Sequence, residues 1–164
     1  MTEENDGGII SGKYISTGGL RNEISLTTEQ VKENVEYAER LGMPKSKIRY
    51  SENCNTAYGE VFDMLHIGTD VYPSYLNRHK ANSRVSSKGA IAHEIVGHRE
   101  AKLKGWAQED DLLDEIQASI RAARFAPELS NIERLVLLRD AAERAKNNGY
   151  RLRDIKGKLY IQER

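Results

Sequence analysis

The chain has a single cysteine, Cys54, among its 164 residues. No internal disulfide can form and no cysteine-based zinc cluster can be assembled. The fold is therefore expected to form in a reducing, cytoplasmic setting, with any metal held by histidine, aspartate or glutamate. Long apolar runs are missing too, and nothing approaches the roughly 20 residues of a membrane span. Excess charge of either sign is absent: 25 basic and 25 acidic residues cancel. That removes the global electrostatic argument for a nucleic-acid partner. The opening "MTEENDGG" lacks the basic region and apolar stretch of a signal peptide. Residues 1–10 read as a linker, and residues 11–164 as one domain long enough to bury a core.

Helix punctuation is clear along most of the chain. "SLTTEQVKENVEYAERLGMP" has a capping box at Thr27 and Gln30, a stripe of Val31, Val35 and Ala38, and a stop at Gly42 and Pro44. "SKIRYSE" suggests a short strand, and Val61, Leu65 and Ile67 suggest one or two more before Pro73. "SYLNRHKANS" reads as a polar loop. Helices are expected from about Ser86 to Lys104, from about Asp110 to Phe125, and through "SNIERLVLLRDAAERAKNNG". The last has a second capping box at Ser130 and Glu133, and Leu135, Leu138 and Ala142 as its core stripe. "YRLRDIKGKLYIQ" reads as a terminal hairpin turning at Lys156 and Gly157. The fold class is α+β, a small antiparallel or mixed sheet packed on a helical layer.

Chemistry concentrates in "GAIAHEIVGHREAKLKG". His93 and His98 are five residues apart, which on a regular helix separates their side chains by about 140°. One ion can meet both only if the helix accommodates an extra residue as a π-bulge, and Gly97 makes a distortion between Ile95 and Gly97 cheap. Glu94 would then reach a water beside the ion. A third ligand is available from the next helix, in "LLDEIQASIRAAR". There Glu115 borders the stripe of Leu112, Leu113, Ile116 and Ile120, beside the small residues Ala118, Ser119 and Ala122. His93, His98 and Glu115 thus make a candidate zinc set, with Asp114 behind it to orient an imidazole N–H.

"HEIVGH" resembles the H-E-x-x-x-H helix of the dipeptidyl peptidase III family of zinc peptidases, and "DEIQAS" resembles that family's second motif, E-E-x-R-A-E/D. The resemblance covers about Ala90 to Ala122. It implies His93, His98 and Glu115 as zinc ligands, Glu94 as general base, and a zincin-like site. Asp114 stands where the family has its first glutamate and Ser119 where it has an acidic residue, and the chain is far too short for that family's two-lobed architecture. The stretch from "LHIGTDVYP" to "LVLLRDA" is also similar to the C-terminal toxin domains of bacterial polymorphic toxins, of the Rhs and contact-dependent-inhibition types. That likeness implies an effector delivered into a target cell by a larger carrier and neutralised by an immunity protein.

The expected activity is zinc-dependent hydrolysis of a peptide or protein substrate, with Glu94 moving the proton and the edge of the "LHIGTDV" strand binding an extended peptide. Two other readings remain open: a metal-dependent nuclease or other hydrolase, and a non-enzymatic domain with a structural ion. Glu100 is a rival third ligand that helical geometry points away. His66 reads as a partly buried side chain, His79 as solvated, and Cys54 as a poor nucleophile without a partnering histidine. Asp70 and Tyr72 end a strand near the site or make a turn. Arg121 and Arg124 form a solvated face or clamp a substrate. The oxyanion-stabilising group is left open among Tyr72, Tyr75, Arg121 and the spare histidines.

Overall fold

The computed structural model describes residues 20–164, so the linker expected over residues 1–10 lies outside them. Each capping signal marks a helix start. Helix α1 (Thr28–Arg40) begins at Thr27, whose hydroxyl accepts from the Gln30 N–H while the Gln30 side chain returns the bond. A three-stranded sheet follows, built from β1 (Ile48–Tyr50), β2 (Ala57–Gly59) and β3 (Met64–Ile67), in the order β1-β3-β2. β1 pairs parallel with β3 and β2 antiparallel, so the sheet is mixed. Leu65 and Ile67 point into the core, as their alternation predicts, but Val61 is 83% exposed at the β2–β3 turn. The central position of β3 corrects the expectation that its edge receives a peptide, because both its edges are already paired. β2 is the strand that reaches the histidine helix.

A short helix α2 (Ala81–Arg84) interrupts the expected polar loop. The histidine helix comes next: α3 (Ser87–Ala92), capped by Ser86, continues into a π stretch (His93–Arg99) and returns to α-geometry as α4 (Glu100–Leu103). Helix α5 (Asp111–Phe125) starts at the N-cap Asp110, and α6 (Asn131–Asn147) at the Ser130–Glu133 capping box. α5 is the central element. Its Ala122 and Ala123 join a core with Tyr37, Leu65, Ile91 and Val96, while Ile116 and Ile120 join a second with Ala141, Ala145, Leu159 and Ile161. The architecture is α+β. No described helix is long and apolar enough to cross a membrane.

Two expectations are corrected. The tail forms a helix, α7 (Leu152–Ile155), and a 3-10 turn (Lys156–Lys158) rather than a hairpin. Ile155 and Leu159, four apart, are both buried, and the following segment bonds to α5 side chains instead of a strand: the Tyr160 N–H donates to Gln117 Oε1. On α6 the buried positions are Leu137, Asp140, Ala141 and Ala145, whereas Leu135 and Leu138 are 48% and 39% exposed. Ala142 is exposed as well.

Candidate metal centre

Between His93 and Arg99 the backbone adopts the wider π-helical turn, visible in the Glu100 N–H reaching back five residues to the Ile95 carbonyl. The extra residue swings His98 round to the face of His93. Their Nε2 atoms lie 3.1 Å apart, with the rings crossed at 77°. Gly97 makes the distortion fit its surroundings. A Cβ there would stand 2.7 Å from Ala118 Cβ and carbonyl oxygen and 2.8 Å from Ala118 Cα, so only glycine lets α5 come this close. Arg121, fully buried on α5, donates to the Val96 carbonyl inside the π stretch at 3.2 Å and to the tail carbonyls of Tyr160 and Glu163 at 2.9 Å. Arg124 donates to the Ile161 carbonyl. Both arginines therefore bind the tail, Arg121 from the interior and Arg124 from an exposed position.

α5 delivers Glu115 to the two imidazoles. One carboxylate oxygen is 3.2 Å from His93 Nε2 and the other 3.3 Å from His98 Nε2. The far side of each ring is committed elsewhere. Asp114 accepts from His98 Nδ1 at 3.0 Å, the role its position suggested. Ser119 Oγ lies 3.1 Å from His93 Nδ1 and donates its own proton to Asp140 at 2.8 Å, so it can only accept from the ring. With each Nδ1 committed in this way, both Nε2 atoms and the Glu115 carboxylate converge on one point, where a cation would meet all three.

The distances are compatible with a tetrahedral ion held by nitrogen and oxygen donors. Ligand atoms around a tetrahedral zinc, each about 2.0–2.1 Å from it, stand about 3.3–3.4 Å apart. The His93–His98, His93–Glu115 and His98–Glu115 separations of 3.1, 3.2 and 3.3 Å come close to that edge. Glu115 Oε1 is also a buried atom with no hydrogen-bond partner among the described residues. Glu94 is near as well, since His93, Glu94 and His98 each offer a ligand atom within 4.8 Å of the others. That looser spacing, and the 2.8 Å bond that Glu94 Oε2 accepts from the Tyr58 N–H of β2, make Glu115 the better-placed third ligand and Glu94 a neighbour.

Electrostatics follow from this packing. Burial pushes the Glu94 carboxyl above the usual range, against the pull of the two histidines. Burial opposes a charge on His98, yet Glu115 beside it and the bond to Asp114 outweigh that and push its imidazolium up to about 10. Burial also works against charge on Glu115, but His98 holds its carboxyl well below the ordinary value. The cluster favours positive charge at its centre, and His98 holds a proton there.

Other candidates fall outside the cluster. Glu100 is paired with Arg164, and His79 is exposed. Asp70 accepts from the Thr56 N–H and hydroxyl at 2.7 Å, and Tyr72 Oη bonds Asn34, which gives both structural work. Tyr75 is 80% exposed. The sequence reading missed three members. Asp140 backs Ser119, and Arg144 bonds Asp140 at 2.9 Å and lies 3.7 Å from Glu115. Tyr58 holds Glu94 through its backbone, which no side-chain pattern announces. The spacing of Asp140 and Arg144, four apart on one helix face, was the only signal for the α6 pair. No protein-family model, curated protein or solved structure matches the chain, so a reading of the site rests on its geometry.

Proposed function

We propose that the protein is a zincin-like, zinc-dependent metallopeptidase in which His93, His98 and Glu115 hold the ion and Glu94 is the general base. The observation that carries this reading is the convergence of two Nε2 atoms and one carboxylate at 3.1–3.3 Å, with each Nδ1 already committed to another partner. Two histidines and a glutamate are a donor set that catalytic zinc uses, leaving one position open. Zinc bound there supplies a polarised carbonyl and a water whose pKa falls toward about 7. Glu94, adjacent in sequence to the ligand His93, takes the proton of the attacking water and passes it to the leaving amine. Burial raises its proton affinity, which suits a group that must both accept and return a proton. Tyr58 orients that carboxylate by donating its backbone N–H. The wider likeness to polymorphic toxins extends the proposal to an antibacterial effector with an immunity partner.

A second reading has an observation in its favour. Glu94 lies within ligand reach of both imidazoles, and a fourth protein ligand would close the site around a structural ion. Glu94→Gln separates the two. As a general base, Glu94 can be lost without loss of metal, and cleavage of quenched-fluorescence peptides by the zinc-loaded protein falls about 10²–10⁴-fold. As a ligand, its loss lowers the bound zinc, read by elemental analysis beside His93→Ala. Metal-dependent degradation of plasmid DNA or RNA with peptides left intact would overturn the peptidase reading in favour of a nuclease.

A further inference from the structure

His98 and Asp114 do more than build the metal centre. They form one wall of a pocket of ≈ 220 Å³, whose other walls include Met64 and His66 from β3 and Ala107 from the α4–α5 connection. Val61 and Phe62 complete its lining at the tip of the β2–β3 turn, where they are 83% and 74% exposed. Single exposed apolar side chains are ordinary on a protein surface. Two adjacent ones beside a pocket that ends at the histidine cluster are not.

The turn that carries them is pinned. Asp63 accepts from Arg99 Nε at 2.7 Å and Nη2 at 3.1 Å, and from the Tyr58 hydroxyl at 2.9 Å. Lys47 Nζ donates to the Phe62 carbonyl. Arg99 ends the π stretch, so the helix that carries the histidines also fixes the apolar tip. The fold thus holds Val61 and Phe62 in water at a set distance from the metal centre. This arrangement does nothing for the core.

Resting on the peptidase reading above, we propose that this pocket, which reaches the histidine cluster through His98 and Asp114, receives a leucine, methionine or phenylalanine side chain of the peptide substrate. Its volume fits one large side chain and falls short of the 300 Å³ or more typical of a whole small-molecule ligand. The charges on the lining are already answered within it, since Lys102 pairs with Glu60 at 3.5 Å and Asp114 bonds His98 at 3.0 Å. The pocket therefore offers a charged side chain no free partner, while Val61, Phe62, Met64 and Ala107 give it an apolar surface. His66 contributes a polar but uncharged surface, since burial and then Arg49 lower its proton affinity.

Two measurements test this. Zinc-loaded protein is given quenched-fluorescence peptide libraries randomised one position at a time. At one position of the peptide, leucine, methionine and phenylalanine are expected to exceed glycine, aspartate and lysine by at least about 10-fold in kcat/KM. The Val61→Ser/Phe62→Ser double variant should flatten that preference and keep its full zinc content. The second measurement needs neither metal nor turnover. Protein as purified is titrated with the N-acetyl amides of leucine, phenylalanine, glycine and aspartate while its backbone amide NMR signals are followed. Leucine and phenylalanine should shift residues 60–64 and Ala107; the other two, and the double variant, should not. Cleavage without side-chain preference, or shifts that survive in the double variant, overturns the pocket and leaves the peptidase standing. Pocket shifts without any peptide cleavage do the reverse.

Discussion

Asp114 and Ser119 touch the imidazoles from behind, and their effect should appear in metal affinity. Each fixes an Nδ1 proton and so aims an Nε2 lone pair at Glu115. Removing such a partner typically weakens metal binding about 10–100-fold. In the metal-free protein His98 holds its proton up to about 10, because Glu115 and Asp114 outweigh the burial that opposes the charge. An arriving ion must displace that proton from Nε2. Apparent zinc affinity therefore rises with pH, about tenfold per unit below the His98 pKa while Glu115 is ionised, and falls on acidification. Titration against a competing chelator at about pH 6, 7 and 8 checks this in wild type and in Asp114→Asn. The variant should bind more weakly once both proteins have lost the proton, and its affinity should stop rising at a lower pH, since its His98 loses one of the groups that hold the proton. A pH-independent affinity would mean that zinc does not bind through His98.

At the level of elements, the crossing of the π stretch and α5 turns on one hydrogen atom. Gly97→Ala would ordinarily favour a helix by about 1 kcal/mol. Here the new methyl group meets the Ala118 backbone at 2.7–2.8 Å, and overpacking against backbone costs about 1–3 kcal/mol. The net effect is destabilising: a lower Tm by several degrees and weaker zinc binding, because α5 carries Glu115 and Asp114. Ala118→Gly in the same chain should restore part of both, as the clash with the Ala118 carbonyl remains. Thermal melts and zinc titrations of the wild type and the two variants read the result, and a stabilised Gly97→Ala would disprove the close crossing. This crossing was readable from the sequence because the five-residue histidine spacing makes sense only on a distorted helix, and the glycine and small residues sit where the approach occurs. The Ser119–Asp140 bond was not, since it joins α5 to α6 across 21 positions and depends on how the two helices meet. α6 was misread for a related reason. Its buried side is completed by Ala141 and Ala145, which carry little hydrophobic signal, so the bulkier Leu135 and Leu138 drew the stripe outward. The tail misled because Lys156-Gly157 between short apolar runs suits a hairpin as well as a helical turn, and nothing local reveals the waiting Gln117 and Arg121 side chains.

Across the whole molecule, the tail and the histidine turn are joined through Arg121. Its guanidinium, fully buried, bonds Val96 in the π stretch on one side and Tyr160 and Glu163 on the other. Leu159 and Ile161 close the second core over Ile116 and Ile120. Deleting residues 159–164 would expose the apolar surface those two side chains cover, about 1.5–3 kcal/mol each as an upper bound. It would also strip a buried cation of acceptors, a change that costs more than it would at the surface. Set against a typical total of about 5–15 kcal/mol, the truncated chain should be marginal, with its metal-free Tm lower by about 6 °C or more. Zinc at about 100 times the Kd of the full chain should return about 2.7 kcal/mol by mass action, provided the ligands still converge. The pair of melts, with and without zinc, separates two roles for the tail. A full zinc-dependent rise in the truncated protein assigns the tail to core stability alone. A reduced rise means that Arg121, freed of its tail carbonyls, no longer holds the Val96 carbonyl and that the histidine turn loosens with it. The direct bond from Arg121 to Val96 favours the second outcome, and an unchanged Tm without zinc would refute both.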